Sequence, residues 1–234
     1  MTTGISSKTV VITGATGGIG YEIAKKFSKD NNKLVLLGRD KKKLSNLADE
    51  LNAEILLCDF TDEGSIKELA KEISENYSVD ILINSAGEFH VKSIEETSIE
   101  AIRETFEINF FSPFILTKYL IPNMIDKKWG RVVNIISSSA YGAAPNTSAY
   151  SSSKHALLGL SRGLFNELKN SGVRVLAVSP GSVKTKMGEE VEKLGQIYET
   201  FIEPSEVAEY VFYVTSLDDN LILEESRLNR IQIQ

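Results

Sequence analysis

Residues 13–20 read TGATGGIG, and four of these eight residues are glycine. They follow the apolar run KTVVI and precede the amphipathic run YEIAKKF. Glycine is needed where the backbone takes a positive φ or where a Cβ would block a close approach. The free N–H groups at a helix N-terminus attract phosphate, so a strand, a glycine turn and a helix predict a pyrophosphate site. A flexible turn without a ligand is the alternative.

Apolar and amphipathic runs alternate along most of the chain. The apolar runs are TVVIT, KLVLLG, AEILLCD, DILINSAG, RVVNIIS and VRVLAVSP, and the amphipathic runs cover residues 21–30, 41–51, 62–76, 98–128 and 148–171. Apolar runs of this length are typical of parallel strands buried on both faces. The pattern predicts an α/β fold of Rossmann type, a doubly wound parallel sheet of about seven strands with helices on both faces.

The ends of the pattern carry three further predictions. We find no linker, so we expect residues 1–234 to form one dinucleotide-binding catalytic domain. Residues 181–204 lack a clear period, which predicts a substrate lid. The tail RLNRIQIQ alternates apolar and polar residues, which predicts a final edge strand over residues 227–234.

Composition limits the kinds of partner. The net charge of −6 argues against a nucleic-acid partner. Apolar runs stay well short of the roughly 20 residues of a membrane span, and the N-terminus lacks the pattern of a signal peptide, so we expect a cytoplasmic protein without a membrane partner. One cysteine, Cys58, excludes an internal disulfide, and with the histidines His90 and His155 it gives too few ligands for a metal site of the histidine and thiolate type.

The end of the second predicted strand bears on the choice of nucleotide. An NAD site usually has an acid here that binds the ribose 2′-hydroxyl, but this chain has Gly38 followed by Arg39. An arginine can pair with a 2′-phosphate, so the residues favour NADP(H) over NAD(H). Asp40 could still reach a ribose, which keeps NAD(H) as the alternative, and a solvated basic turn around residues 39–43 is a further one.

The stretch YSSSK places Tyr150 and Lys154 four residues apart, on one face of a helix. A neighbouring ammonium favours the phenolate and would lower the pKa of the tyrosine toward the working range of a general acid or base. Ser137 ends a predicted strand, where ligands of doubly wound sheets bind, so it can meet Tyr150 there. Tyr21 and Lys25 have the same spacing without such a context, and we interpret them as an exposed helix face.

Together these residues resemble the short-chain dehydrogenase/reductase family, in particular its single-domain members. The resemblance is carried by TGATGGIG, CDFTD, NSAG, EINFFSPF, NIISSSAYG, YSSSK and SPGSVKT, in the order of the family and up to about residue 185. It implies that Tyr150 transfers a proton, that Ser137 binds the substrate oxygen, that Lys154 tunes Tyr150 and binds the nicotinamide ribose, and that Asn109 helps to hold a water on Lys154. The cofactor-binding residues that it implies, besides Arg39, Tyr150 and Lys154, are Gly14, Thr16, Gly18, Ile19, Gly20, Asp59, Phe60, Asn84, Ala86, Gly87, Pro180, Gly181, Val183 and Thr185.

The implied activity is NAD(P)H-dependent hydride transfer between a carbonyl and an alcohol. The candidate small-molecule substrates are ketones, aldehydes, hydroxy acids and 3-oxoacyl compounds, although the tail lacks the glycine-rich segment usual in reductases that act on acyl carrier protein. The expected substrate wall comprises residues 88–90, residues 141–144 and Met187.

Two other functions are compatible with the same fold. A non-catalytic NADP-binding sensor or scaffold would need the glycine turn but not Ser137, Tyr150 and Lys154. A nucleotide-sugar epimerase or dehydratase would need a longer C-terminal region than the one that follows SPGSVKT. The run INFFSPFILTKYLIPNMI is apolar on most sides, and with the resemblance it predicts a homodimer or homotetramer.

Overall fold

The computed structural model describes residues 5–192, 194–217, 221 and 223–231, and it contains one seven-stranded sheet. The strands are β1 (Thr9–Thr13), β2 (Lys33–Gly38), β3 (Glu54–Leu57), β4 (Ile81–Asn84), β5 (Gly130–Ile135), β6 (Val173–Pro180) and β7 (Glu225–Leu228). Their order is β3-β2-β1-β4-β5-β6-β7, and all neighbouring strands are parallel. The order reverses between β1 and β4, and ligands of such sheets bind at the carboxyl ends beside that point. The prediction of a doubly wound parallel sheet is confirmed.

Helices connect the strands. They are α1 (Gly18–Phe27), α2 (Lys41–Leu51), α3 (Glu63–Asn76), α4 (Ile99–Phe106), α5 (Ser112–Asp126), α6 (Ser148–Leu168), α7 (Lys186–Glu192) and α8 (Pro204–Thr215). Single 3₁₀ turns lie at Ser28–Asp30, Ser138–Ala140 and Tyr198–Thr200. In the described part of the chain no helix combines the length and the apolar character needed to cross a membrane.

Both faces of the sheet are covered by apolar packing. In β1, Val10 and Ile12 belong to a buried cluster with Ile23 of α1 and Val211 of α8, whereas Val11 belongs to a second cluster on the opposite face. Successive side chains of a strand point to opposite faces, so an uninterrupted apolar run is what a strand between two helical layers requires.

The predicted helix over residues 98–128 is one continuous helical segment with a local change of pitch. Between α4 and α5 the residues Glu107–Phe111 form a π-helical turn. Such turns are rare and occur frequently at functional sites. This one contains Asn109, which is fully buried.

The prediction of the last strand is wrong in its position. The edge strand β7 covers Glu225–Leu228, residues 229–231 are not part of a strand, and residues 232–234 lie outside the described residues. Backbone pairing of β7 with residues 177–180 of β6 defines the strand. The side chains of β7 are mostly half-buried. Its sequence, ESRL, lacks the regular alternation of apolar and polar residues that the tail shows.

Candidate active site

The glycine turn between β1 and α1 is packed against its own chain. Gly14 has a φ of +64°, and a Cβ there would lie 2.7 Å from the Cα of Ala86. A Cβ on Gly20 would collide with the carbonyl oxygen of Gly14, and one on Gly18 would lie 2.5 Å from Cγ2 of Thr185. The glycines therefore first of all allow the turn to pack closely against other segments of the same chain.

The same turn leaves the N-terminus of α1 open to an anion. No side chain caps the helix at Gly17, and its first turn contains no acidic residue. Gly18, Ile19 and Gly20 of this first turn line a cleft, so their backbone groups border open space. Free N–H groups and the positive end of the helix dipole suit a phosphate, and these residues fit the pyrophosphate of a dinucleotide.

This glycine-turn cleft, as we name it, has a volume of about 1040 Å³. It lies at the carboxyl ends of β1, β2 and β4, beside the point where the strand order reverses. Most of the residues that the sequence predicted for a cofactor line it. These are Gly14, Thr16, Gly18, Ile19, Gly20, Arg39, Asp59, Phe60, Ala86, Gly87 and Thr185.

The residues that bear on the choice of nucleotide divide between two roles. Gly38 and Arg39 line the glycine-turn cleft. Asp40 instead caps α2, because its carboxylate accepts the N–H of Lys43 at 3.0 Å. Hydrogen bonding to that backbone N–H lowers the pKa of Asp40. The carboxylate that could have bound a ribose is thus engaged at the helix terminus.

A second cleft of about 850 Å³ adjoins the first. We name it the tyrosine cleft. Ile19, Ser85, Gly87, Thr185 and Met187 line both clefts, so the two are continuous. The predicted site residues that line the tyrosine cleft are Ser137, Tyr150, Lys154, Pro180, Gly181 and Val183, with the shared residues Ile19, Gly87 and Thr185.

Ser137 follows β5, and Tyr150 and Lys154 lie on α6, so a strand end and a helix face meet in this cleft. The side chain of Ser137 lies close enough to the Tyr150 hydroxyl to lower its pKa. Nζ of Lys154 donates to the carbonyl oxygen of Ile135 at 3.0 Å and lies 5.8 Å from the centre of the Tyr150 ring. The structure brings together the three residues that the sequence singled out.

The electrostatics of Tyr150 differ from the prediction. Burial raises the pKa of Tyr150 above its ordinary value, and the Ser137 side chain offsets only part of this effect. Burial also lowers the pKa of Lys154 to about 8. The net pKa of Tyr150 is therefore not lowered as expected, because desolvation outweighs the contributions that favour the phenolate. Tyr150 is protonated at neutral pH.

Asn109 and Asn84 line neither cleft, although Asn84 was expected to line the cofactor cleft. Both side chains are buried. The role of Asn109 in holding a water on Lys154 stays a prediction. The carboxamide of Asn109 accepts the N–H of Glu88 at 2.8 Å and donates to Oγ of Ser153 at 3.0 Å. Nδ2 of Asn84 donates to Oδ1 of Asn134 at 2.8 Å, below the floor of the site. Asn109 thus links the loop at Glu88 to α6, and Asn84 links β4 to β5. These segments carry residues that line the two clefts.

The predicted substrate wall is correct in part. Phe89, Ala144 and Met187 line the tyrosine cleft, and the Phe89 ring meets the Tyr150 ring edge-on at 4.7 Å between centroids. His90 lies against a different, small pocket, with Nε2 at 3.3 Å from Oε1 of Glu88. Tyr141 does not line the tyrosine cleft, because its hydroxyl donates to a carboxylate that lies far away in the sequence.

That carboxylate belongs to Glu225 of β7, which the sequence reasoning did not single out. The Tyr141 hydroxyl donates to its Oε1 at 2.6 Å, and Arg162 of α6 donates to both oxygens, at 2.9 Å and 3.0 Å. Arg227 lies over the Tyr141 ring at 4.4 Å. Glu225 therefore ties the last strand to the turn after Ser137 and to the helix of Tyr150. Tyr141 precedes it by 84 residues, and no local pattern marks such a contact.

Known proteins share this sequence and this fold. The short chain dehydrogenase family model matches residues 8–194. Dehydrogenase/reductase SDR family member 7B of Mus musculus is 38% identical over 188 residues, which are 76% of this chain and 58% of that protein. The chain thus spans less than two thirds of the length of this relative.

Two solved structures share the fold over nearly the whole chain. The alcohol dehydrogenase of Thermococcus sibiricus, complexed with 5-hydroxy-NADP, is 28% identical with a TM-score of 0.87, over 98% of this chain and 99% of that one. An actinorhodin polyketide ketoreductase variant with NADPH is 30% identical with a TM-score of 0.86, over 95% of each chain. The match of the family model over most of the sequence decides the assignment: the chain belongs to the short chain dehydrogenase family.

Proposed function

We propose that the protein is an NADP(H)-dependent oxidoreductase that interconverts a carbonyl and an alcohol. The observation that carries the proposal is that Ser137, Tyr150 and Lys154 line one cleft, which is continuous with the cleft at the glycine turn. NADPH, when bound, supplies the hydride, and the protein supplies position and proton. A small ketone, aldehyde, hydroxy acid or 3-oxoacyl compound is the substrate.

Each residue of the tyrosine cleft has a distinct role in this proposal. The Ser137 hydroxyl donates a hydrogen bond to the substrate oxygen and orients it. The Tyr150 hydroxyl gives its proton to that oxygen as the carbonyl is reduced, and takes a proton from the alcohol in the reverse direction. Lys154 binds the nicotinamide ribose, and its ammonium favours the phenolate that remains on Tyr150. Asn109 is a positioning residue, since it holds the segment at Glu88 against Ser153 of α6.

In the free enzyme Tyr150 carries the proton that the reduction of a carbonyl requires. A general acid has to be protonated before the reaction, and burial keeps Tyr150 in that form at neutral pH. Oxidation of an alcohol needs the phenolate, which this environment disfavours.

NADP(H) rather than NAD(H) is proposed from the residues at the end of β2. Arg39 borders the glycine-turn cleft and is exposed, so it can pair with a 2′-phosphate. Asp40 is used as the cap of α2. Gly14, Gly18, Gly20 and the other predicted residues of that cleft are proposed to bind the rest of the cofactor. The bound 5-hydroxy-NADP and NADPH of the two solved relatives support this choice.

We also propose that the protein is a homodimer or homotetramer. Phe111 and Phe114 on the helical segment 107–126 remain 42% and 41% exposed, and Phe110 stacks on Phe114. Exposed aromatic groups of this kind are typical of a partner surface. A solution mass equal to one 25.8 kDa chain at micromolar concentration, measured by light scattering, would contradict it.

The test is NADPH oxidation against a panel of ketones, aldehydes, 3-oxo esters and pteridines, with wild type and Tyr150→Phe side by side. We expect Tyr150→Phe to lose at least ~10²-fold in kcat, because the phenylalanine keeps the ring contact with Phe89 but has no proton to give. The matched control is Tyr21→Phe, which removes a surface hydroxyl bonded to Glu50 and should retain full turnover.

Turnover that survives in Tyr150→Phe would contradict the role of Tyr150. Tight NADPH binding without turnover of any carbonyl would instead support the non-catalytic sensor.

A further inference from the structure

We propose that the tyrosine cleft selects uncharged carbonyl compounds with apolar substituents and excludes carboxylates. The inference rests on the proposed function and narrows its substrate class: ketones, aldehydes and esters are accepted, and free hydroxy acids and oxo acids are not.

The wall of the tyrosine cleft away from the glycine turn combines apolar side chains with the uncharged polar residues Thr147, Ser182 and Gln196. Three chain segments contribute to its apolar part: the loop after β4, the loop before α6, and α7 with the residues that follow it. Their apolar lining side chains are Phe89, Ala144, Met187, Val191 and Leu194. The Phe89 ring packs edge-on against the Tyr150 ring, so these apolar side chains lie next to the proposed proton donor. Burial of apolar substituents against such side chains makes the free energy of substrate binding more favourable.

Charge is nearly absent from the same lining. Among the described residues that line the tyrosine cleft, Lys154 is the one with a charged side chain. Its Nζ is bonded to the Ile135 carbonyl and would lie 3.6 Å from a Cβ on Gly87, one of the residues that line both clefts. Lys184 does not line the cleft, and its Nζ is paired with Oε1 of Glu203 at 2.5 Å.

The cationic side chains lie at the other end of the site. Arg39 and Lys186 line the glycine-turn cleft, where the phosphate groups of a dinucleotide are proposed to bind. A substrate carboxylate in the tyrosine cleft would lose its water and find no dedicated counter-ion among the described lining residues, and burying an unpaired charge is costly. Asp59 and Glu88 also line the glycine-turn cleft, so the phosphate groups are expected next to Arg39, Lys186 and the N-terminus of α1. The tyrosine cleft suits a neutral substrate.

The test compares 4-oxocyclohexanecarboxylate with its methyl ester, which have the same ketone and differ by one negative charge. NADPH oxidation gives kcat/KM for each compound, and calorimetry in the presence of NADP⁺ gives the affinity without any need for turnover. We expect kcat/KM for the ester to exceed that for the acid by at least ~10²-fold, because the desolvated carboxylate stays unpaired.

A variant makes the reason testable. Val191→Lys places an ammonium on the lining of α7, and we expect it to raise the preference for the acid over the ester by at least ~10-fold relative to wild type. Val191→Met is the matched control, since it lengthens the side chain without a charge, and it should leave the acid-to-ester ratio unchanged.

The outcomes separate the two proposals. An acid that is reduced or bound within threefold of the ester overturns the charge selection and leaves the proposed reaction standing. An ester that binds far more tightly than the acid while neither is reduced supports the charge selection and counts against the proposed reaction. Failure of the ester to bind at millimolar concentration overturns the inference.

Discussion

Gly18→Ala tests the conclusion that the glycine turn is shaped first by packing of the chain against itself. The added Cβ would lie 2.5 Å from Cγ2 and 3.0 Å from Cβ of Thr185, which connects β6 to α7. The neighbour is a side chain rather than backbone, so a second substitution can relieve the collision. Thr185→Ser removes Cγ2 and keeps the hydroxyl, which accepts the N–H of Gly188 at 3.1 Å.

The expected magnitude follows from these contacts. Overpacking of a closely packed site costs about 1–3 kcal/mol, so Gly18→Ala should lower the melting temperature by about 2–4 °C for each kcal/mol. Thr185→Ser alone should cost up to about 0.8 kcal/mol for the lost methyl group. In the double variant the collision is largely removed, so its destabilisation should fall below the sum of the single ones by about 1 kcal/mol.

The assay is urea unfolding followed by the fluorescence of Trp129, the single tryptophan of the chain. Gly20→Ala serves as the control, because its Cβ would collide with the backbone oxygen of Gly14 and Thr185→Ser cannot relieve that contact. If the free energies of Gly18→Ala and Thr185→Ser simply add, the packing argument for Gly18 is refuted. NADPH affinity of the double variant then shows separately whether the phosphate also needs Gly18.

Three further predictions concern charged groups. Burial lowers the pKa of Lys154 from 10.5 to about 8, so the folded state binds fewer protons than the unfolded state between these values and stability should rise with pH there. The stability deficit of wild type relative to Lys154→Met should therefore shrink between about pH 8 and 10.5 in urea titrations, and a constant deficit would contradict the lowered pKa of the buried Lys154. Glu225→Gln should cost about 1 kcal/mol through the weakened bonds to Arg162 and Tyr141, whereas Glu224→Gln next to it should cost nothing measurable by thermal unfolding. Arg162 lowers the pKa of Glu225, so this difference should fade as the pH drops below the ordinary glutamate value, and persistence in acid would argue against a charge effect. Arg39→Ala should weaken NADPH binding by about 10-fold or more and leave NADH binding unchanged in fluorescence titrations. An equal loss of affinity for both cofactors would contradict the pairing of Arg39 with the 2′-phosphate.

The features that the sequence predicted well are those with a local physical signature. A strand between two helical layers is buried on both faces, and β1, β2 and β4 show this as the uninterrupted apolar runs VVI, LVLL and ILI. Tyr150 and Lys154 share a helix face because they are four residues apart. Strand ends meet along one edge of a parallel sheet, so Ser137 and the glycine turn were expected at the same crevice.

The features that it predicted poorly depend on contacts between distant segments. The pKa of Tyr150 is set by burial, which a four-residue spacing does not reveal. β7 is defined by backbone pairing with β6, and its most informative side chain, Glu225, has partners on the turn after Ser137 and on α6. The alternating pattern in the tail extended the predicted strand past Leu228 to residues 229–231, which are not part of a strand.

Asn84 illustrates how a residue can be marked by its motif and still serve a different part of the structure. It pairs in register with Asn134 on the neighbouring strand, and its Nδ2 donates to Oδ1 of that residue. Asn134 donates in turn to Oγ of Ser161, which donates to the Leu157 carbonyl of α6. Buried polar groups are costly unless they are paired, so this chain fixes the height and rotation of α6 over the sheet. Polar groups on the side of α6 that faces the sheet thus position Tyr150 and Lys154, although these groups do not line the tyrosine cleft.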